Sequence, residues 1–257
     1  MTPPGVVFLM YHELEVPGRT ISQNEAGYVR YIVSEASFRA QMNWLAQNGW
    51  RGLSTSAALL YPAGKTVAIT FDDGCETDVI TAAPILKECG FNATFYVTTG
   101  FLGKPGYLTP PQLQQLGGLG FEIGCHSMTH AYLDDLDQRG LQREIADAGK
   151  RLEDITGHKV AHFSCPGGRL NDRAISVARE AGYQSLATSR ARVNNRTTDP
   201  YSLGRVAIMR NGFEKTFGDI CEGKDLWRMR LGESLRSTAQ QVMGNALYDR
   251  LRALLLR

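Results

Sequence analysis

Residues 66–97 read TVAITFDDGCETDVITAAPILKECGFNATFYV and contain a complete strand–helix–strand unit. The run Thr66–Phe71 is typical of a buried strand because it is almost uninterrupted by charged or strongly polar residues. Ile80–Cys89 predicts a helix that ends at Gly90, and Ala93–Val97 predicts the next strand. Two strands joined by a helix run parallel in one sheet. The unit therefore predicts a parallel sheet that is covered by helices.

The same alternation continues on both sides of this unit. Further strands are predicted at Val6–Tyr11, Phe121–Cys125, Ala161–Ser164, Tyr183–Thr188 and Leu203–Met209. Further helices are predicted at Ser37–Asn48, Pro110–Leu116, Gln138–Ile155 and Asp172–Ala181. About seven strands in this order favour an α/β fold, a distorted (β/α) barrel, with an open doubly wound sheet as the alternative. We expect the barrel to occupy residues 1–215 and a C-terminal helical extension, packed on it, to occupy 216–257.

Composition indicates an ordinary globular protein rather than a nucleic-acid-binding or disulfide-stapled one. Of 257 residues, 43% are hydrophobic and 21% charged, and the net charge of +2 leaves no basic stripe for nucleic acid. A chain of this length buries a sufficient core, so any metal is expected to be a catalyst. Five cysteines without a CxxC pair predict reduced thiols, and the apolar run near the N-terminus is too short for a signal peptide. These features predict a cytoplasmic protein, and they leave its oligomeric state open.

The tail 225–257 differs in character from the rest of the chain. Its leucines and valine recur at helical spacing, and six arginines stand against three acidic residues. One or two helices packed on the barrel are the first interpretation. A basic amphipathic helix that rests on the anionic inner face of a membrane is the second.

Polar residues follow the predicted strands at the end where barrel enzymes carry their active sites. His126 and His130 are four residues apart, so both imidazoles would lie on one face if the chain turned helical after Cys125. Two unrelated surface or capping histidines are the alternative for this pair alone. Either Asp72 or Asp73 would complete a site of two histidines and one carboxylate, with a position left open for water. The second aspartate would then be available as a general base.

Two segments of this set resemble a known family. TFDDG (70–74) and HSMTH (126–130), with FNATFYV (91–97) and the GFEIGCHS approach (120–127), are similar to the motifs of the polysaccharide deacetylases, carbohydrate esterase family 4. The resemblance extends over roughly residues 6–210. It implies a distorted (β/α) barrel and metal-dependent removal of N-acetyl groups from an amino-sugar saccharide, which is a polysaccharide, an oligosaccharide or a lipid-linked sugar.

Position by position, the resemblance implies a role for each residue. Asp72 matches the catalytic base, and Asp73, His126 and His130 match the metal ligands. The metal implied is Zn²⁺, or another divalent transition metal such as Co²⁺ or Ni²⁺. The segment FSCPGG (163–168) resembles the third motif, in which the amide at the position of Gly167 helps to hold the oxyanion.

The chain departs from the family pattern in two places. Ser164 stands where an arginine often pairs with the catalytic aspartate, and no histidine follows His162 to act as the late general acid. His12, after the first strand, is our candidate for the acid, and a hydrogen-bonded residue at the barrel mouth is the alternative. Arg205 is our candidate for the missing cation beside Asp72, with a plain salt bridge as the alternative.

These departures keep two other functions open. One is a catalytically silent barrel that binds saccharides. The other is a hydrolase of the same fold that acts on a non-sugar amide.

Overall fold

The structure is a computed structural model that describes residues 5–61, 64–210, 214–227 and 229–230. The strands are β1 (Val6–Tyr11), β2 (Leu14–Glu15), β3 (Val33–Ser34), β4 (Arg51–Leu53), β5 (Thr66–Phe71), β6 (Thr94–Val97), β7 (Glu122–Cys125), β8 (His162–Ser164), β9 (Ser185–Ala187), β10 (Val193–Asn194) and β11 (Val206–Ala207). The helices are α1 (Ala26–Val29), α2 (Glu35–Gln47), α3 (Thr55–Ala58), α4 (Ala83–Glu88), α5 (Pro110–Gly118), α6 (Gln138–Leu141), α7 (Ala148–Thr156), α8 (Asp172–Glu180) and α9 (Glu214–Cys221).

Parallel strands form a distorted barrel. Strands β1, β5, β6, β7, β8 and β9 pair in this order, all parallel. A parallel bridge from Ala187 to Leu203 and the pairing of β11 with β1 return the sheet to its first strand. The predicted (β/α) barrel is therefore confirmed, and the open sheet is not the arrangement found. The barrel is irregular because β4 pairs with the first half of β5 and β6 with the second half.

Alternate residues of each strand face the helices or the barrel axis. Leu9, Phe71 and Phe95 belong to the large apolar core that includes buried residues of the surrounding helices. Phe8 and Tyr96 belong to a smaller cluster on the other face of the strands. Each fully buried side chain of this size contributes about 1.5–3 kcal/mol to folding. The outer layer thus fixes the strands whose far ends carry the polar residues.

The sequence located the long elements and missed the short ones. Strands β2, β3, β4 and β10 have only two or three residues, too few to show a period. Two predicted helices contain π-helical segments, at Asp78–Ala82 before α4 and at Gln142–Asp147 between α6 and α7. These wider turns shift the side chains that follow them relative to a regular helix.

The predicted extension is described only in its first part. Helix α9 packs beside α2, with the rings of Trp44 and Phe217 5.8 Å apart in an edge contact. The predicted tail helices beyond residue 230, and with them the membrane-surface interpretation, lie outside the described residues. Within the described part of the chain, no helix has the length and apolar character to cross a membrane. The division at residue 215 stays a prediction.

Candidate active site

The aspartate pair lies in a tight turn after β5. Asp73 has a φ of 78° and Gly74 a φ of 76°, both in the left-handed region. A Cβ atom on Gly74 would approach Val97 Cγ1 to 2.8 Å, so this position requires glycine for space as well as for conformation. The turn directs Asp72 and Asp73 to different partners. Strained backbone of this kind occurs often at functional sites.

The two histidines come together through a loop. The chain does not turn helical after Cys125, because Ser127 and His130 have φ values of 68° and 65°. The backbone N–H of His130 donates to Ser127 Oγ at 2.9 Å, which closes the turn between the histidines. Thr98 Oγ1 donates to the carbonyl of His126 at 3.0 Å. The loop thus brings about the convergence that a helix face would have provided.

Glu144 positions this loop and was missed by the sequence analysis. Its carboxylate accepts hydrogen bonds from the N–H groups of Met128 and Thr129, at 3.0 and 2.7 Å, and from Thr129 Oγ1 at 2.8 Å. Glu144 is buried in the π-helical segment after α6. A sequence signal existed, because a glutamate next to the apolar positions Leu141 and Ile145 of an amphipathic helix needs polar partners.

Asp73, His126 and His130 form a cluster suited to a metal ion. One ligand atom from each lies within 4.8 Å of the other two, with Asp73 Oδ1 3.5 Å from His126 Nε2 and 3.6 Å from His130 Nε2. Asp73 Oδ1 is buried and has no hydrogen-bond partner among the described residues, which is costly unless a cation binds there. A carboxylate with two imidazoles is a donor set that Zn²⁺ and similar divalent ions accept.

The environment of His126 prepares it as a ligand. Its Nδ1 lies 2.8 Å from the carbonyl oxygen of Ser164, so this nitrogen carries the proton and Nε2 is left with its lone pair. Burial lowers the pKa of His126 to about 4, so the ring is neutral near pH 7. Neutral imidazole is the form that binds metals.

Asp72 is paired with Arg205. Arg205 Nη1 and Nη2 donate to the two carboxylate oxygens of Asp72, each at 2.7 Å, and the pair is almost fully buried. Burial alone would raise the pKa of Asp72, but the charge of Arg205 holds it well below its usual value. Arg205 Nη2 also donates to Ser164 Oγ at 2.7 Å, and Ser164 Oγ donates to Asp72 Oδ2 at 3.2 Å. The cation beside Asp72 is thus Arg205, which belongs to the closing segment of the barrel, residues 203–207.

His12 lies beside the aspartates. Tyr11 pairs with Phe71 at the ends of β1 and β5, so the residues that follow, His12 and Asp72, are neighbours at the barrel mouth. His12 Nδ1 is buried, and no residue that the structure describes forms a hydrogen bond to it, although a hydrogen-bonded residue at the barrel mouth was the alternative expectation. Burial lowers the pKa of His12, and the charges of Asp73 and Asp72 act in the opposite direction.

Gly167 follows β8 on the same rim. Its φ of 63° places it in the left-handed region, and it is exposed. A Cβ atom there would approach the Tyr132 ring to 2.7 Å. The chain reaches Gly167 three residues after Ser164, which contacts both Asp72 and His126. Six of the seven predicted site residues therefore follow strands at one end of the barrel, and Arg205, directly before β11, reaches Asp72 with its side chain.

The first prediction concerns the cluster of metal ligands. His130→Ala should bind a divalent metal more weakly than the unchanged protein, because one of three ligands is lost. Elemental analysis after dialysis measures the effect. His158→Ala, at an exposed histidine outside the cluster, is the control and should keep its metal. Full metal content in His130→Ala would show that the ligand assignment is wrong.

Known proteins are similar to this chain in sequence. A profile of the family described as polysaccharide deacetylase matches residues 61–186. YxkH of Bacillus subtilis, a protein named among the polysaccharide deacetylases, is 29% identical over 226 residues, 86% of this chain and 77% of its own. A peptidoglycan-N-acetylglucosamine deacetylase of Bacillus cereus is 33% identical over 126 residues, 49% of this chain and 57% of that protein.

A solved structure agrees over nearly the same extent. The Streptococcus pyogenes deacetylase PplD in complex with acetate superimposes with a TM-score of 0.75 at 26% identity, covering 86% of this chain and 99% of that one. The fold and the clustered residues define a (β/α)-barrel protein with a candidate metal site at its mouth. In profile, sequence and fold, the chain is similar to the polysaccharide deacetylases. His12 and Arg205 lie outside the residues that the family profile matches.

Proposed function

We propose that the protein is a metal-dependent hydrolase that removes N-acetyl groups from an amino-sugar saccharide. The observation that carries the proposal is the buried Asp72–Arg205 pair directly beside the cluster of Asp73, His126 and His130. His126 Nε2 lies 3.9 Å from Asp72 Oδ2, so a base and a metal-ligand set share one small space. The relatives named as deacetylases of peptidoglycan and of poly-β-1,6-N-acetyl-D-glucosamine support the substrate class.

The residues of the site supply distinct parts of the reaction. Asp73, His126 and His130 would hold Zn²⁺ or another divalent ion, which when bound polarises the acetyl carbonyl and lowers the pKa of water. Asp72 is ionised and takes the proton of the attacking water as general base. Arg205 and Ser164 orient its carboxylate. The Gly167 amide is the proposed donor to the tetrahedral oxyanion, a contact typically worth about 3–4 kcal/mol.

His12 is the proposed general acid. The leaving amine needs a proton, and His12, next to the aspartates, has a buried ring nitrogen that is unpaired within the described part of the chain. Its ring lies 5.0 Å from the ring of Tyr31, which fixes its plane at the mouth. His162, which follows the cluster in the chain, is engaged elsewhere, because its two ring nitrogens form hydrogen bonds with Ser56 Oγ and Ser185 Oγ.

Acetate release tests the proposed function. Metal-loaded protein should release acetate from oligomers of N-acetylglucosamine, and a chelator should abolish the release until metal is restored. A silent saccharide-binding barrel would bind these oligomers without releasing acetate. A hydrolase of a non-sugar amide would release acetate only from acetylated compounds that lack the sugar. Either result would contradict the proposal.

The second prediction separates proton donation from binding at His12. His12→Gln should keep its metal and lose roughly 10²–10⁴-fold in turnover on an N-acetylated sugar, the range expected for a positioned acid. An O-acetyl ester of similar shape should lose much less, because an alkoxide leaves with less help than an amine. Turnover of both substrates is measured side by side on the same preparation. Equal losses on amide and ester would assign His12 a binding or structural role instead.

A further inference from the structure

Arg169 is a half-buried arginine for which the described residues offer no counterion, and it lies two residues after Gly167, the proposed oxyanion donor. Among the described residues, no hydrogen-bond acceptor meets its Nη1, which is closed off from solvent. Its guanidinium lies over the Tyr132 ring, with Cζ 3.5 Å from the ring centroid. Because Nη1 is enclosed, a ligand would meet the other two guanidinium nitrogens, Nε and Nη2, and an arginine without a counterion favours a ligand that brings an acceptor.

The position of Arg169 relates it to the substrate path. It follows Gly167 by two residues, and a Cβ atom on Gly167 would lie 2.7 Å from Tyr132 Cε1 and 3.6 Å from Arg169 Nε. Tyr132 in turn follows His130, a member of the metal-ligand cluster, by two residues. The stacked pair therefore flanks the point where the acetyl group would be held. A substituent of the same sugar or of its neighbour would lie within reach.

The chemistry of the pair favours an anionic group. The contact with Tyr132 holds the guanidinium and leaves the edge formed by Nε and Nη2 for bidentate hydrogen bonds to a carboxylate or phosphate. The other catalytic-site arginine, Arg205, has its two terminal nitrogens bonded to Asp72 and cannot perform this task. Aromatic and guanidinium groups together also suit a sugar ring that carries a negative charge.

We propose that Arg169, stacked on Tyr132, forms a subsite for a carboxylate or phosphate carried by the amino-sugar substrate. The inference rests on the proposed deacetylase function and narrows its substrate class to acidic glycans. The subsite acts in binding and in positioning, so its effect should appear mainly in KM.

The test compares glycans of equal length with different charge. The probes are a tetramer of N-acetylglucosamine, the same backbone with O-linked lactyl carboxylates on alternate sugars, and the same backbone with phosphate at those sugars. The unchanged protein should show a higher kcat/KM on one of the two acidic glycans than on the neutral one. This preference should weaken as salt increases, because screening reduces the attraction. The two acidic arms identify which anion is taken.

Substitutions then assign the preference to Arg169. Arg169→Gln should lose roughly 10- to 100-fold in kcat/KM on the acidic glycan, chiefly through KM, and little on the neutral one. Arg169→Lys keeps the charge but not the flat fork and should lose part of the preference. Arg179→Gln is the matched control, since Arg179 stacks on Tyr201 at 3.9 Å and is exposed. The Arg179→Gln variant should keep the kcat/KM of the unchanged protein on both the acidic and the neutral glycan.

Each outcome decides the proposal. Equal rates on all glycans for the unchanged protein, or equal losses on acidic and neutral glycans in Arg169→Gln, would overturn it. If no glycan releases acetate, the proposed function has failed, and calorimetry of the acidic glycan with metal-loaded protein decides the subsite separately. Binding that is lost in Arg169→Gln and kept in Arg179→Gln would support the subsite. Binding that is unchanged in Arg169→Gln, or absent in the unchanged protein, would overturn it.

Discussion

Asp72→Asn should keep its metal and lose roughly 10²–10⁴-fold in acetate release, because the amide cannot accept the proton of water. Asp73→Asn should lose metal first, and activity as a consequence. The structure gives the physical reason for the difference. Asp72 directs both oxygens to Arg205. Asp73 Oδ1 faces His126 and His130, and none of the residues described in the structure forms a hydrogen bond to it. Metal content and turnover are measured on the same dialysed samples.

Folding has to be controlled in this comparison. Asp72→Asn leaves the buried Arg205 without its counterion, so urea unfolding should accompany the assays and rates should refer to folded protein. Asp134→Asn, at an exposed aspartate four residues after His130, is a suitable control and should change neither metal content nor turnover. If Asp72→Asn lost metal while Asp73→Asn kept it and lost only turnover, the two roles would be reversed.

Arg205→Gln should lower both stability and activity, with the largest effect on stability of the substitutions considered. Arg205 and Asp72 are only 1% and 2% exposed. Removing one partner of such a pair costs about 3–5 kcal/mol, because the other charge stays buried and unpaired. Unfolding in urea measures this loss. The double variant Asp72→Asn with Arg205→Gln should recover part of the stability, since no buried charge remains.

The same substitution should shift the pH profile in a defined direction. Burial raises the pKa of Asp72 and Arg205 lowers it, so without Arg205 the carboxyl should take up a proton at higher pH. The acidic limb of kcat/KM should therefore move to higher pH in Arg205→Gln. In the unchanged protein, the stability that ionised Asp72 contributes is complete above its unfolded pKa of about 3.8 and is lost as pH falls below it. An unshifted acidic limb would show that Asp72 is not the base.

Strand β5 shows why part of the fold was accessible from the sequence. Its bounds, Thr66–Phe71, agree with the prediction because a strand covered on both faces is apolar throughout. Strands β10 and β11 were harder, since two residues carry no period and their pairing with β1 depends on distant parts of the chain. The role of Glu144 was missed for a similar reason, because its three donors lie about fifteen residues away in a loop.

The sequence alone determined the barrel class, the family and the set of candidate residues. Apolar periods mark strands and helices locally, and a residue type such as aspartate or histidine carries its chemistry wherever it stands. Tertiary structure alone decided how those residues meet. The left-handed turns at Asp73 and His130 aim their side chains at a common point. The hydrogen bonds of Glu144 and the closing segment that carries Arg205 to Asp72 join residues far apart in the chain. Distances and pKa values depend on burial and on neighbouring charges, and these exist only once the barrel has closed.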